Sequence, residues 1–198
     1  MTDFQFITLP AEFFESKGMP VLPLPVRPAM QAEIYSPEGI AIDRLVDELQ
    51  LYLAEHPEQD DFYRQVLGAL AVYAGIDLGK RGATGRAVFY FELALEIRPA
   101  DHYLRANLAV ILNLLGREEE ALAHYDVIVN TPGVAVNPLI WVQAARLHAE
   151  RGHSERAMAL LRACVPLLPE AGDVQRFLAE MEKLAIVDLA EPEPGPSN

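Results

Sequence analysis

The feature that most constrains this chain is an internal period. Gly82 and Gly116 stand 34 residues apart, as do Ala87 and Ala121, and Phe91 and Tyr125. Gly152, Ala157 and Leu161 follow 36 residues further on. Spacing kept in phase through three units marks stacked supersecondary elements, each unable to bury its apolar face alone. Each unit spells a helix, a glycine turn, a second helix and then a proline: Pro99, Pro132 and Pro169. Glycine supplies a positive φ at the turn with little strain. The small Ala five residues later lets the second helix approach the first, and the bulky side chain four residues beyond fills the space between them.

The flanks are read separately. Residues 1–36 hold Phe4, Phe6, Leu9, Phe13 and Phe14, then the run from Pro20 to Pro28 with prolines at near-alternate positions. Such spacing forbids a helix and favours an extended chain. The segment is too apolar for a solvated tail, so it is expected to lie against the folded body or a partner. Ser36-Pro37-Glu38 reads as N-cap, first-turn proline and first-turn acid. It is expected to open a helix carrying the stripe Ile42, Leu45, Val46, Leu49 and Leu53, which stops before Pro57. A second helix is expected from Asp60–Asp61 to about Gly79–Gly82. Val174, Phe177, Leu178, Met181, Leu184 and Ala185 form a last amphipathic stripe suited to closing a repeat array. The expected organisation is therefore 1–36 extended segment, 37–186 helical repeats and 187–198 disordered acidic, proline-rich tail.

The set Gly75, Leu78, Gly82, Ala87, Phe91, Ala94 and Pro99 resembles the tetratricopeptide repeat (TPR) family. So does the set Leu108, Ala109, Leu112, Gly116, Ala121 and Tyr125. The third is Trp141, Ala144, Ala145, Gly152, Ala157, Leu161 and Pro169. The resemblance covers roughly residues 61–185, as about three repeats plus a C-terminal capping helix. It implies an all-α, right-handed α-solenoid of antiparallel helix pairs, preceded by the extended proline-rich segment.

Net charge is −13, concentrated at the ends: residues 1–61 carry −9, residues 170–198 carry −5, and residues 62–169 carry +1. Phosphate contacts need clustered Lys and Arg, so nucleic acid is not expected as a partner, nor is an anionic membrane surface. No secretory leader or spanning helix is read in the sequence. With the lone Cys164 unable to form an internal disulfide, the expected location is cytoplasmic.

No catalytic residues are expected, and the chain is not read as an enzyme. Gly79, Gly82 and Gly85 around Lys80-Arg81 lack the preceding strand of a phosphate loop. His148, His153 and Cys164 fit no common zinc spacing, so no metal and no cofactor is expected. His148 is read as packed or capping, Cys164 as a small buried hydrophobe.

The resemblance implies that the first helix of each unit lines a concave face. It points there to Val72, Tyr73, Ile76 and Lys80, then Tyr103, Asn107, Val110 and Asn113, then Val142, Gln143 and Arg146. Each of these has packing as its alternative role. Apolar pockets with a few amides suit a bound peptide, because Asn and Gln offer both donor and acceptor. The expected function is a protein-interaction module, an adaptor or scaffold holding a partner peptide or segment. One alternative is a chaperone resembling the class II chaperones of type III secretion, holding an apolar stretch of a secreted protein. Another is self-association, with the N-terminal segment entering the groove of the same chain or of a second copy.

Overall fold

The computed structural model describes residues 3–36, 39–134 and 137–165, together with the helical positions 172, 175 and 179. Pro169, the acidic tail and every apolar stripe residue of the expected last helix lie outside the described residues. The chain divides into two compact units, Met1–Leu104 and Arg105–Asn198.

The first unit opens with β1 (Gln5–Thr8), α1 (Ala11–Glu15) and β2 (Pro23–Val26). β1 and β2 pair antiparallel, with Ile7 opposite Leu24 and Gln5 opposite Val26. The alternating prolines explain this ladder. Pro23 and Pro25 have no N–H to give, while Leu24 and Val26, which alternate with them, keep theirs, so a strand with one bonding edge survives. The N-terminal segment is thus an αβ ribbon rather than a wholly extended chain. It is docked on its own unit: Leu9, Phe14, Leu24 and Val26 are all at most 2% exposed.

After a 3₁₀ turn at Pro28–Met30 come α2 (Gln31–Ile34), the hairpin β3 (Tyr35–Ser36) and β4 (Gly39–Ile40), and α3 (Ile42–Glu55). The helix expected to open after Ser36 therefore begins at Ile42. Pro37 and Glu38 lie outside the described residues. Gly39 has φ +121°, which an L side chain rarely adopts, so the chain reverses here instead of winding a first helical turn. Of its expected stripe α3 buries Leu45, Val46 and Leu49, while Ile42 and Leu53 are half-buried and Tyr52 is buried in addition.

α4 (Asp60–Lys80) and α5 (Thr84–Ile97) form the first helix pair. Small residues on α4 set how closely they pack. A Cβ on Gly68 would sit 3.1 Å from Ile97 Cγ2, and one on Gly75 would sit 2.9 Å from Phe91 Cε1. These pairings run in opposite directions along the two helices, as an antiparallel pair demands. α3 and α5 are tied by the Tyr90 hydroxyl, which donates to Asp47 Oδ1 at 2.9 Å. Burial, followed by this carboxylate, pushes Tyr90 up to about 12.

α6 (His102–Leu114) and α7 (Glu118–Val129) form the second pair, α8 (Leu139–Glu150) and α9 (Ser154–Cys164) the third. The same turn closes the first helix of every pair. Gly82, Gly116 and Gly152 have φ +76°, +72° and +77°. Beyond each glycine the next N–H reaches back five residues: Ala83 to Leu78 O, Arg117 to Leu112 O and His153 to His148 O, all at 2.9 Å. This is the Schellman arrangement, which satisfies carbonyls that a helix end leaves free. The second helices then start alike, with Ala87, Ala121 and Ala157 each donating to the residue four earlier at 3.0 Å. Those three alanines are fully buried, and Phe91, Tyr125 and Leu161 are at most 1% exposed.

Candidate interaction surface

The residues read as groove-lining divide between the two units: Val72, Tyr73, Ile76, Lys80 and Tyr103 fall in the first, the rest in the second. In the first unit Val72, Tyr73 and Ile76 are half-buried and Lys80 is exposed. Tyr73 is already engaged by the N-terminal segment. Its hydroxyl donates to Lys17 O at 3.0 Å. The Lys17 ammonium lies 4.0 Å from the Phe13 ring centroid and 5.4 Å from that of Tyr73. It also donates to Phe13 O at 3.2 Å, and burial holds it below the usual lysine value. Nearby, a cavity of ≈ 500 Å³ opens between Met19, Leu22, Phe62, Val66 and Ala69, and no predicted groove residue lines it. Phe62 is 57% exposed at its rim. Tyr103 is 70% exposed near the start of α6.

The ribbon is held by an ion pair to a buried carboxylate that no local pattern announced. Glu48 on α3 is 1% exposed, and it accepts from Arg27 N at 2.8 Å, from Nε at 3.1 and 3.0 Å, and from Nη2 at 2.5 Å. The Glu48 hydrogen bond holds the Arg27 guanidinium above its ordinary value.

In the second unit the structure brings part of the predicted set together. Arg146 on α8 donates from Nη2 to Asn113 Oδ1 on α6 at 3.3 Å. Its Nε reaches Gln143 Oε1 at 3.4 Å, and its Nη1 reaches Glu150 Oε1 at 2.6 Å. The guanidinium is therefore fixed in place by three acceptors, and Glu150 offsets its charge. Val110 is 38% exposed on α6, and Val142 is half-buried on α8. Asn107 Nδ2 and Tyr125 Oη are buried and have no hydrogen-bond partner. Burial pushes Tyr125 up to about 12, with the Arg146 charge pulling the other way. Asn137 Oδ1 accepts from Leu139 N at 3.0 Å at the start of α8, as Asp101 Oδ1, at the end of the first unit, accepts from Leu104 N at 2.9 Å in the first turn of α6.

Among the described residues no three His, Cys, Asp or Glu side chains converge as a metal site, and no helix is long and apolar enough to cross a membrane. Cys164 is buried and its thiol donates to Leu161 O at 3.3 Å, while burial pushes that thiol up. His148 is packed as expected, with Nε2 3.0 Å from Asp126 Oδ1.

No protein-family model and no curated protein matches the sequence. Solved structures do match. A chain of the Sec complex from S. cerevisiae aligns with TM-score 0.54 at 18% identity, covering 63% of this chain and 72% of that one. MamA from Desulfovibrio magneticus RS-1 aligns with TM-score 0.52 at 18% identity, covering 73% of this chain and 76% of that one. A thermophilic TPR protein from Thermus thermophilus aligns at 17% identity with TM-score 0.41, covering 72% of this chain and 73% of that one. At these identities the likeness is one of fold. Among the described residues the chain is mostly α-helical, built of repeated helix pairs, with two short β-ribbons in its N-terminal part.

Proposed function

We propose that this chain is a non-catalytic protein-interaction module that holds a partner peptide against the α6 and α8 face of its second unit. The observation that carries the reading is the buried, unpartnered amide nitrogen of Asn107 on α6. Burying a donor unpaired costs about 1–3 kcal/mol; Asn107 as a whole is half-buried, and turning its amide out to a peptide carbonyl removes that cost. Around it the face offers what a peptide backbone and an apolar side chain need: the Asn113 and Gln143 amides, the flat Arg146 fork and the exposed Val110. Glu150 offsets the Arg146 charge, so recognition through amide pairing and apolar contact is favoured over capture of a strongly acidic tail.

Selection of binders from a random peptide library, followed by affinity measurement, tests this. Selected peptides are expected to lose at least about tenfold in affinity for Asn107→Ala/Arg146→Ala, the worth of one or two hydrogen bonds. They should bind Glu155→Ala, on the exposed side of α9, unchanged. Asn107→Ala alone should leave the free protein as stable or more stable, because it deletes an unsatisfied buried donor. Equal peptide affinity for the double variant overturns the reading. So does a destabilised Asn107→Ala, since that makes the amide a packing group.

A further inference from the structure

The turn between α8 and α9 differs from its two counterparts in its side chains. The Schellman bond joins Leu78 with Ala83 in the first repeat, Leu112 with Arg117 in the second, and His148 with His153 in the third. An apolar contact between these two positions is usual for the motif. Here two imidazoles take its place, five residues apart and brought side by side by the turn. Their Nδ1 atoms stand 3.4 Å apart, with ring centroids at 5.6 Å, so the two nitrogens are on facing edges of the rings.

We propose that His148 Nδ1 and His153 Nδ1 form a two-histidine site for a divalent transition-metal ion of the zinc type. Two nitrogens bound at about 2.0–2.1 Å to one tetrahedral centre lie about 3.3–3.4 Å from each other, which is the spacing observed and is longer than an ordinary hydrogen bond. The far side of His148 is prepared for the role. Its Nε2 lies 3.0 Å from Asp126 Oδ1, and a carboxylate there holds the proton on Nε2 and leaves the Nδ1 lone pair on the side of His153. The site sits at the C-terminal end of α8, where the helix dipole favours a cation. The neighbouring cations are already matched: Arg156 donates to Asn130 Oδ1 and lies 4.0 Å from Asp126 Oδ1, and Arg151 is paired with Glu118 and Glu119. His153 is exposed, which gives an ion its way in. The protein supplies two nitrogens and leaves the other coordination positions to water, so the site is one of moderate affinity.

Titration of the untagged, metal-free full chain with zinc chloride, followed by calorimetry, tests the proposal. One zinc per chain is expected, weakened at least tenfold in His153→Ala. Asp126→Asn should weaken it by about tenfold, the usual effect of losing an orienting carboxylate. His153→Ala leaves the turn's backbone bonds in place, and its circular dichroism should match the parent chain. His56→Ala, in the first unit, should change nothing. Absence of saturable zinc binding overturns the proposal, as does equal affinity in His153→Ala or a loss on His56→Ala matching that of His153→Ala.

Discussion

Removing the Arg27 side chain should loosen the N-terminal ribbon from α3. The Glu48 carboxylate it leaves behind is 1% exposed and would retain only the Arg27 backbone N–H at 2.8 Å. Breaking a buried pair on one side costs about 3–5 kcal/mol, because a charge is stranded out of water. Here the Arg27 side chain is 38% exposed, so water screens part of the attraction and can follow into the space left behind. Discounted for that screening, Arg27→Ala should cost about 2–3 kcal/mol. Urea unfolding gives the total, and hydrogen exchange at the Leu24 and Val26 amides locates it in β2. The companion variant Arg27→Met/Glu48→Leu removes both charges and fills the space with apolar groups. It should cost less than Arg27→Ala alone, because no carboxylate is left without a partner. A loss under about 0.5 kcal/mol for Arg27→Ala refutes the reasoning, for it would put the pair in the range of an ordinary surface ion pair. A double variant as costly as the sum of both single changes refutes it equally.

Two further outcomes are expected. Gly75→Ala should destabilise by about 1–2 kcal/mol in thermal unfolding: its Cβ would meet the Phe91 ring at 2.9 Å, and the strain exceeds the gain of about 1 kcal/mol in helix propensity. Adding Phe91→Leu, the residue type of the third repeat at Leu161, should recover most of the loss. His124 is held below its ordinary value by burial first and by Arg105 second, whose Nη1 stands 3.3 Å from its Nδ1. The unfolded chain therefore takes up the proton first. The contribution of neutral His124 is complete above the unfolded value of 6.5 and is lost as the pH falls below it toward the lower folded value. The urea midpoint should drop between about pH 7 and pH 5, and His124→Gln, which keeps an acceptor for Arg105, should flatten that slope. An unchanged slope would count against the buried neutral imidazole.

What the sequence made legible was what repeats locally. The glycines at 82, 116 and 152, the alanines five residues later and the rings or leucine beyond them can be read because turn, close approach and filling all lie within one helix pair. The docking of the ribbon could not be read in the same way. Lys17 meets Tyr73 across 56 residues, and Arg27 meets Glu48 across 21, so neither partner's identity constrains its own neighbourhood. Ser36-Pro37-Glu38-Gly39 shows a second limit, since the same residues suit a helix start and a chain reversal, and only the pairing of Tyr35 with Ile40 decides between them. In the second unit Asn113 and Arg146, both named from the resemblance, meet across α6 and α8. That Asn107 is left without a partner was not legible, since satisfaction depends on every neighbour at once. The two histidines show a third limit. Ligand patterns assume helical spacings of three or four, and five fits neither. A Schellman turn changes the rule, because its backbone bond joins positions five apart and carries their side chains to one side of the helix end. A repeat that closes on this turn therefore joins two positions five apart in each of the three helix pairs described, and the side chains at those positions can vary from unit to unit without disturbing the fold.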